Sequence, residues 1–356
     1  MKTQLGQLLM IEVSRASWNS GLERLLDRFR PAGVFLRSLD SSAATAELAA
    51  KSARALGSVP FLAVEEQGAG SLCHLFNPLA DAGSMNVGDA ARAGDLMGSA
   101  MALLGLNLDL APVLDLPGVP GGAVTNPPEP LTPASSSLAA LVAEKAEGFV
   151  AGLARHGILA CGRHFPGAAS LAKGAGAPAR PRVVAKTMMT LWREDLVPYR
   201  RLGPKLAMVE ITSAICKAYD YEFPRPASLS ANVMEGLLRV KLGYQGVALV
   251  DASAAAGASE VDTGEAAVRA LAAGCDLLLV SGEGREIELV FESLERALEF
   301  GKLAPERVEQ ALQRVRSARK RLRRPGKAPS ERALERLALK FEEFGRQGAA
   351  VERDIA

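Results

Sequence analysis

The chain has 356 residues, long for one ordinary domain of about 100–200, although α/β barrels commonly fill about 250 as a single unit. Its 42 basic and 40 acidic side chains leave a net charge of +2, which carries no polyanion-binding signal. A composition of 48% hydrophobic and 23% charged residues suits a soluble globule with a large core.

In chain order, the opening Met1-Lys2-Thr3-Gln4-Leu5-Gly6 has one charge and too short an apolar run before Glu12 for a signal peptide. No stretch approaches the roughly 18 apolar residues of a spanning helix. A soluble, cytoplasmic protein with no nucleic-acid or membrane partner is expected. Ala32-Gly33-Val34-Phe35-Leu36 and Pro60-Phe61-Leu62-Ala63-Val64 read as buried strands, separated by helical patterning over residues 45–56. Asn107-Leu108-Asp109-Leu110-Ala111-Pro112-Val113-Leu114-Asp115 reads as another strand and its exit. Residues 117–133 contain six prolines and must be an irregular loop, and residues 136–156 have helical patterning.

The short apolar run Gly157-Ile158-Leu159-Ala160-Cys161 reads as a buried parallel strand bounded by glycines. It leads into Gly162-Arg163-His164-Phe165-Pro166-Gly167, which puts Arg163 and His164 at a strand's C-terminal end, where α/β barrels keep their chemistry. Residues 168–182 follow as a Gly/Ala/Pro loop whose charges before Arg182 are Lys173 and Arg180. A further strand-like run, Met208-Val209-Glu210-Ile211, precedes Val247-Ala248-Leu249-Val250-Asp251, residues 264–273 as a helix, and Cys275-Asp276-Leu277-Leu278-Leu279-Val280. Strands alternating with helices imply βαβ units on a parallel sheet. Arg314, Lys320, Arg321, Arg323 and Arg324 read as the solvated face and last turn of a helix. Glu331 opens an amphipathic helix expected to pack on the barrel exterior or on a second subunit. The four cysteines have no metal-like spacing and read as buried free thiols of a reducing compartment.

The Gly162–Gly167 motif resembles the Lys-His-Phe-Pro-Gly-His-Gly signature of family 3 glycoside hydrolases, in particular the single-domain β-N-acetylglucosaminidases. The Leu5–Met10 opening, the Asn107–Asp115 segment, Pro226-Ala227-Ser228-Leu229-Ser230 and the lead into Asp251 are similar to that family in the same order. The resemblance runs over residues 1–325 and implies a TIM-type (β/α) barrel of one domain, with residues 326–356 as a C-terminal helical extension. It implies an amino-sugar or cell-wall-type glycan as ligand and calls for no cofactor or metal.

The same resemblance implies Asp251 as the nucleophile of a retaining glycosidase; read from its own surroundings Asp251 is a candidate helix N-cap, and the flanking match favours the nucleophile. Glu65, Arg163 and His164 fall where the family binds sugar hydroxyls. Several family residues have no counterpart. The Asp and His of the acid/base loop fall near Gly174 and Gly176, an Arg is replaced by Gly70, and the sugar-gripping Arg is missing from residues 121–127. Loss of a general acid/base lowers rates by about 10²–10⁴. The expectation is a sugar-binding or partner-binding protein that has lost, or nearly lost, hydrolysis. The alternative is an active retaining enzyme whose acid is Glu210, Glu129 or Glu66. The C-terminal helix is a candidate contact for a homo-oligomer or protein partner. His74 and His156 read as surface residues.

Overall fold

A computed structural model describes residues 2–37, 39, 41–57, 59–65, 85–116, 133–167, 182–184, 186–282, 284–323 and 329–355. Strands β1 (Leu9–Val13), β2 (Gly33–Leu36), β3 (Phe61–Val64), β4 (Leu108–Asp109) and β5 (Leu159–Phe165) lie side by side in that order. β6 (Val183–Val184) leaves the barrel to pair with β8 (Ile215–Cys216). β7 (Met208–Ile211), β9 (Val247–Asp251) and β10 (Leu277–Val280) complete the ring, and β10 pairs with β1. All eight barrel pairings are parallel, so all strand C-termini share one rim, the arrangement of a TIM-type barrel.

The strands sort their side chains by period-two alternation. Leu9, Ile11, Val34, Leu62, Val209, Ala248, Val250 and Leu278 belong to the apolar layer under the surrounding helices. Met10, Phe35, Phe61, Ala63, Leu159, Cys161, Met208, Leu249 and Leu279 fill the barrel itself. Helices return the chain between strands and start at side-chain caps that accept otherwise orphaned amides: Asn19 from Leu22, Ser41 from Ala44, Asp262 from Glu265. Helices Val87–Leu103 and Pro133–Arg155 lie backbone to backbone, and a Cβ at Gly94 would stand 2.2 Å from the Phe149 carbonyl oxygen. Asn107 ties β3 to β4, its amide donating to the Pro60 carbonyl at 2.9 Å and accepting from the Leu62 amide at 2.8 Å.

Helix Pro305–Arg319 closes the end opposite the rim, with Val315 and Ala318 joining the interior cluster. For Arg314 this corrects the reading of the basic cluster as a solvated face, whereas Lys320, Arg321 and Arg323 are exposed as that reading expected. Arg314 pairs with the fully buried Asp276 at 3.0 Å, and Arg319 donates to the Val59 carbonyl. Helix Glu331–Ile355 packs on Val87–Leu103, burying Leu337, Phe341 and Phe344, with the Arg92 guanidinium 5.2 Å from the Phe344 ring centroid. The extension therefore covers the barrel exterior. Cys161, Cys216 and Cys275 are buried free thiols, and burial pushes the Cys216 thiol up to about 12. Among the described residues no helix is long and apolar enough to cross a membrane.

Candidate active site

The inward parity that fills the barrel with apolar side chains continues to the rim and there becomes polar. Two residues beyond Met10, Phe35, Ala63, Cys161, Met208, Leu249 and Leu279 stand Glu12, Arg37, Glu65, Arg163, Glu210, Asp251 and Ser281. These side chains, with His164 and Asp115, form the floor of the mouth. Strand β5 runs through Phe165, so Arg163 and His164 lie within the strand rather than beyond it. Gly167 turns the chain out at φ 128°, where a Cβ would stand 2.7 Å from that of Asp195. Asp195 and Glu194 are gripped by Lys186 at 2.7 and 3.2 Å. Burial pushes the Asp195 carboxyl above its ordinary range despite Lys186.

Arg163 is almost fully buried and organises half of the floor. Its Nη1 lies 2.9 Å from Glu65 Oε1 and donates to the Leu110 carbonyl at 3.2 Å. Its Nε carries a single hydrogen, donated to His164 Nε2 at 3.0 Å. That leaves Glu210 Oε2 at ion-pair distance, 3.2 Å from Nε, but buried without a hydrogen bond. Burial works against the charged guanidinium, yet Glu210 and Glu65 outweigh it and hold the arginine above its ordinary range. An arginine N–H only donates, so His164 Nε2 is the acceptor and Nδ1 carries the proton that bonds Asp115 Oδ2 at 2.8 Å. In this tautomer His164 has no proton to offer a leaving group from Nε2.

The other half of the floor centres on Arg37. It donates to Glu12 Oε2 at 2.8 Å, and Ser281 donates to the same oxygen at 2.6 Å. Burial pushes Glu12 up, but these two hydrogen bonds win and hold its carboxyl below the ordinary glutamate value. Arg37 also feels Glu65 and Asp251. Asp251 ends β9 and caps helix Ala252–Ser259, its Oδ1 accepting from the Ser253 and Ala254 amides at 2.9 and 3.1 Å. Burial nonetheless raises its pKa, with those amides and Arg37 opposing and Glu12 adding to the rise.

The structure thus brings Glu65, Asp115, Arg163, His164 and Asp251 to one rim. Glu210, named as an alternative acid, points inward to Arg163. Glu12 and Arg37 were missed, although a lone acid in Leu-Met-Ile-Glu-Val at the inward parity is a legible signal. His156 is half-buried, 3.2 Å from Asp95, rather than a plain surface residue. Glu66, His74, Glu129 and the loop residues 168–181 lie outside the described residues.

A sequence model of the glycosyl hydrolase family 3 N-terminal domain matches residues 1–318. The chain belongs to glycoside hydrolase family 3. Among its relatives, a β-hexosaminidase of Pseudomonas aeruginosa is 31% identical over 301 residues, which cover 81% of this chain and 86% of that one. A family 3 β-N-acetylglucosaminidase of a Paenibacillus species superposes with a TM-score of 0.80 at 24% identity, over 97% of this chain and 68% of that one. A fungal multi-domain family 3 β-N-acetylglucosaminidase gives 0.84 at 21% identity, and this chain spans 42% of its length. At those identities the two superpositions speak for the fold, which they share with the barrel described above.

Proposed function

We propose that this family 3 barrel binds an amino-sugar glycan at its mouth and has lost, or nearly lost, hydrolysis. Retaining chemistry needs a carboxylate on one side of the sugar and a proton donor on the other. The observation that carries the proposal is the hydrogen-bond pattern around Arg163. It makes His164 Nε2 an acceptor and engages Glu65 in an ion pair, while Arg37 does the same to Glu12. No Asp, Glu or His occurs between His164 and Glu194, the stretch where the family carries its acid/base. Asp251 keeps the position of the nucleophile but stands half-withdrawn, its Oδ1 accepting two helix amides. Glu65 and His164 present polar atoms to a sugar, with Arg163 beneath them as a positioning residue. A cytoplasmic location, supported by thiols that are buried and unpaired, belongs to the same proposal.

A second reading rests on Glu210. Its Oε2 is buried with no hydrogen bond, and Glu210 pairs in register with Leu249, two residues before Asp251 on the neighbouring strand. Strand geometry puts those two Cα atoms about 8 Å apart. Their carboxyl groups can then approach the roughly 5–5.5 Å of a retaining pair. Against this, Glu210 sits 3.2 Å from the Arg163 guanidinium, a partner it would have to leave to act on a leaving group. Ligand binding is tested by thermal shift and calorimetry with N-acetylglucosamine and its β-1,4 dimer. Saturable stabilisation that is lost in His164→Ala supports the binding proposal, and no interaction at millimolar sugar refutes it.

A further inference from the structure

The end of the barrel opposite the mouth holds a charge imbalance beside an open cleft. Asp276 is fully buried, and three arginines converge on its carboxylate. Arg239 and Arg307 each approach to 2.5 Å and Arg314 to 3.0 Å. One carboxylate thus serves three guanidinium groups. The mutual repulsion is visible at Arg239, where burial lowers the pKa first and Arg314 and Arg307 lower it further, against the pull of Asp276. Arg239 Nε is buried without a hydrogen-bond partner among the described residues. Its guanidinium lies 5.5 Å from the Tyr244 ring centroid.

Tyr244 and Arg314 are also walls of a cleft of about 470 Å³ between the N-terminal ends of β7 and β9 and helix Pro305–Arg319. Arg200 and Arg321 line it too, and no acidic side chain does among the described residues. Leu238, Leu242 and Pro204 supply apolar walls. The volume lies within the roughly 300–1,000 Å³ range of small-molecule sites. Guanidinium groups present paired donors that match phosphate oxygens, and apolar walls suit a ring.

We propose that this cleft is a binding site for a small phosphate monoester, its phosphate held by Arg314 and Arg321 and its body against Leu238, Leu242 and Tyr244. An anion there balances the excess of guanidinium over carboxylate that the fold leaves around Asp276. The cleft lies about 13 Å from the mouth, the span of four strand residues from Val247 to Asp251. The site is independent of whether the mouth hydrolyses anything.

The test is calorimetric titration of the full chain with AMP, glucose 6-phosphate and inorganic phosphate, with adenosine and glucose as uncharged controls. Ser317→Glu places an acid in the cleft wall without removing a described contact, and Arg321→Ala removes an exposed guanidinium. Lys302→Glu, on an exposed site elsewhere, is the control, and it lowers the net charge by more than either cleft variant does. At least one of the two esters should bind more tightly than inorganic phosphate, and its uncharged counterpart should not bind. Ser317→Glu and Arg321→Ala should each weaken binding about tenfold or more, as loss of a charge-assisted contact does, while Lys302→Glu leaves it unchanged. Absence of binding by both esters at millimolar concentration overturns the proposal. So does binding that Ser317→Glu and Arg321→Ala affect no more than Lys302→Glu does.

Discussion

Arg163 reaches from β5 past the intervening β4 to Glu65, Nη1 to Oε1 at 2.9 Å, and this contact spans the floor of the mouth. The same guanidinium faces Glu210 on the other side. With side-chain exposures of 8%, 27% and 14% for Arg163, Glu65 and Glu210, the cluster is largely desolvated, so its charges depend on one another.

Removing the shared cation should therefore be severe. Arg163→Met removes the cation that Glu65 and Glu210 share, and removing one partner of a buried ion pair destabilises by about 3–5 kcal/mol. Denaturant unfolding of this variant beside Glu65→Gln measures it. A loss below about 1 kcal/mol for Arg163→Met would show that water reaches the floor far more freely than the packing implies.

Asp251 has a structural duty that separates its substitutions. Asparagine caps helices as well as aspartate does, whereas alanine does not, and losing a cap lowers stability by about 1 kcal/mol. Asp251→Asn should keep the wild-type melting temperature and Asp251→Ala should lower it by a few degrees. Equal stability of both variants would mean that the hydrogen bonds to Ser253 and Ala254 contribute nothing.

The Glu12–Arg37 pair predicts an acid-side pH dependence. Glu12 is held below its ordinary value of 4.5, so the folded state binds its proton less readily than the unfolded chain. Its contribution is complete above about pH 4.5 and is lost as pH falls through the folded value. Glu12→Gln should remove that part of the slope below pH 4.5 and leave the slope at neutral pH unchanged. Melting curves from pH 3 to 7 test this, and identical acid slopes in the two proteins would contradict it.

Phe341 is fully buried where the C-terminal helix meets the helix of residues 87–103. Phe341→Ala removes a buried ring, a change that lowers stability by about 3–5 kcal/mol. A melting temperature within a degree of wild type would show that the extension is not held to the barrel in solution.

Much of this architecture was legible from the chain because local patterns and the tertiary solution agree. Leu159-Ala160-Cys161 alternates between the inner and outer layers, and the glycines and Phe-Pro-Gly around it mark its ends. Asp115 and His164 were both placed at the rim by their motifs, but their 2.8 Å hydrogen bond joins segments 49 residues apart, which no local pattern encodes. Glu12 and Arg37 escaped because each lies in or beside a short apolar strand and neither belongs to a motif. Their meaning appears once β1 and β2 are set in register, with Glu12 opposite Phe35. Arg314 was misread for the converse reason: helical periodicity shows a basic face but not the buried carboxylate of Asp276 beneath it.

The most direct test of the lost-hydrolysis account is turnover of an aryl β-N-acetylglucosaminide by wild type, Asp251→Asn and Glu210→Gln. An activated aryl leaving group needs little protonation, so a surviving nucleophile could still attack it even where a general acid is missing. The account predicts no detectable release of the aryl group, or a trace rate that Asp251→Asn leaves unchanged. Turnover that Asp251→Asn abolishes contradicts it, and a further loss in Glu210→Gln would assign the proton donor to Glu210.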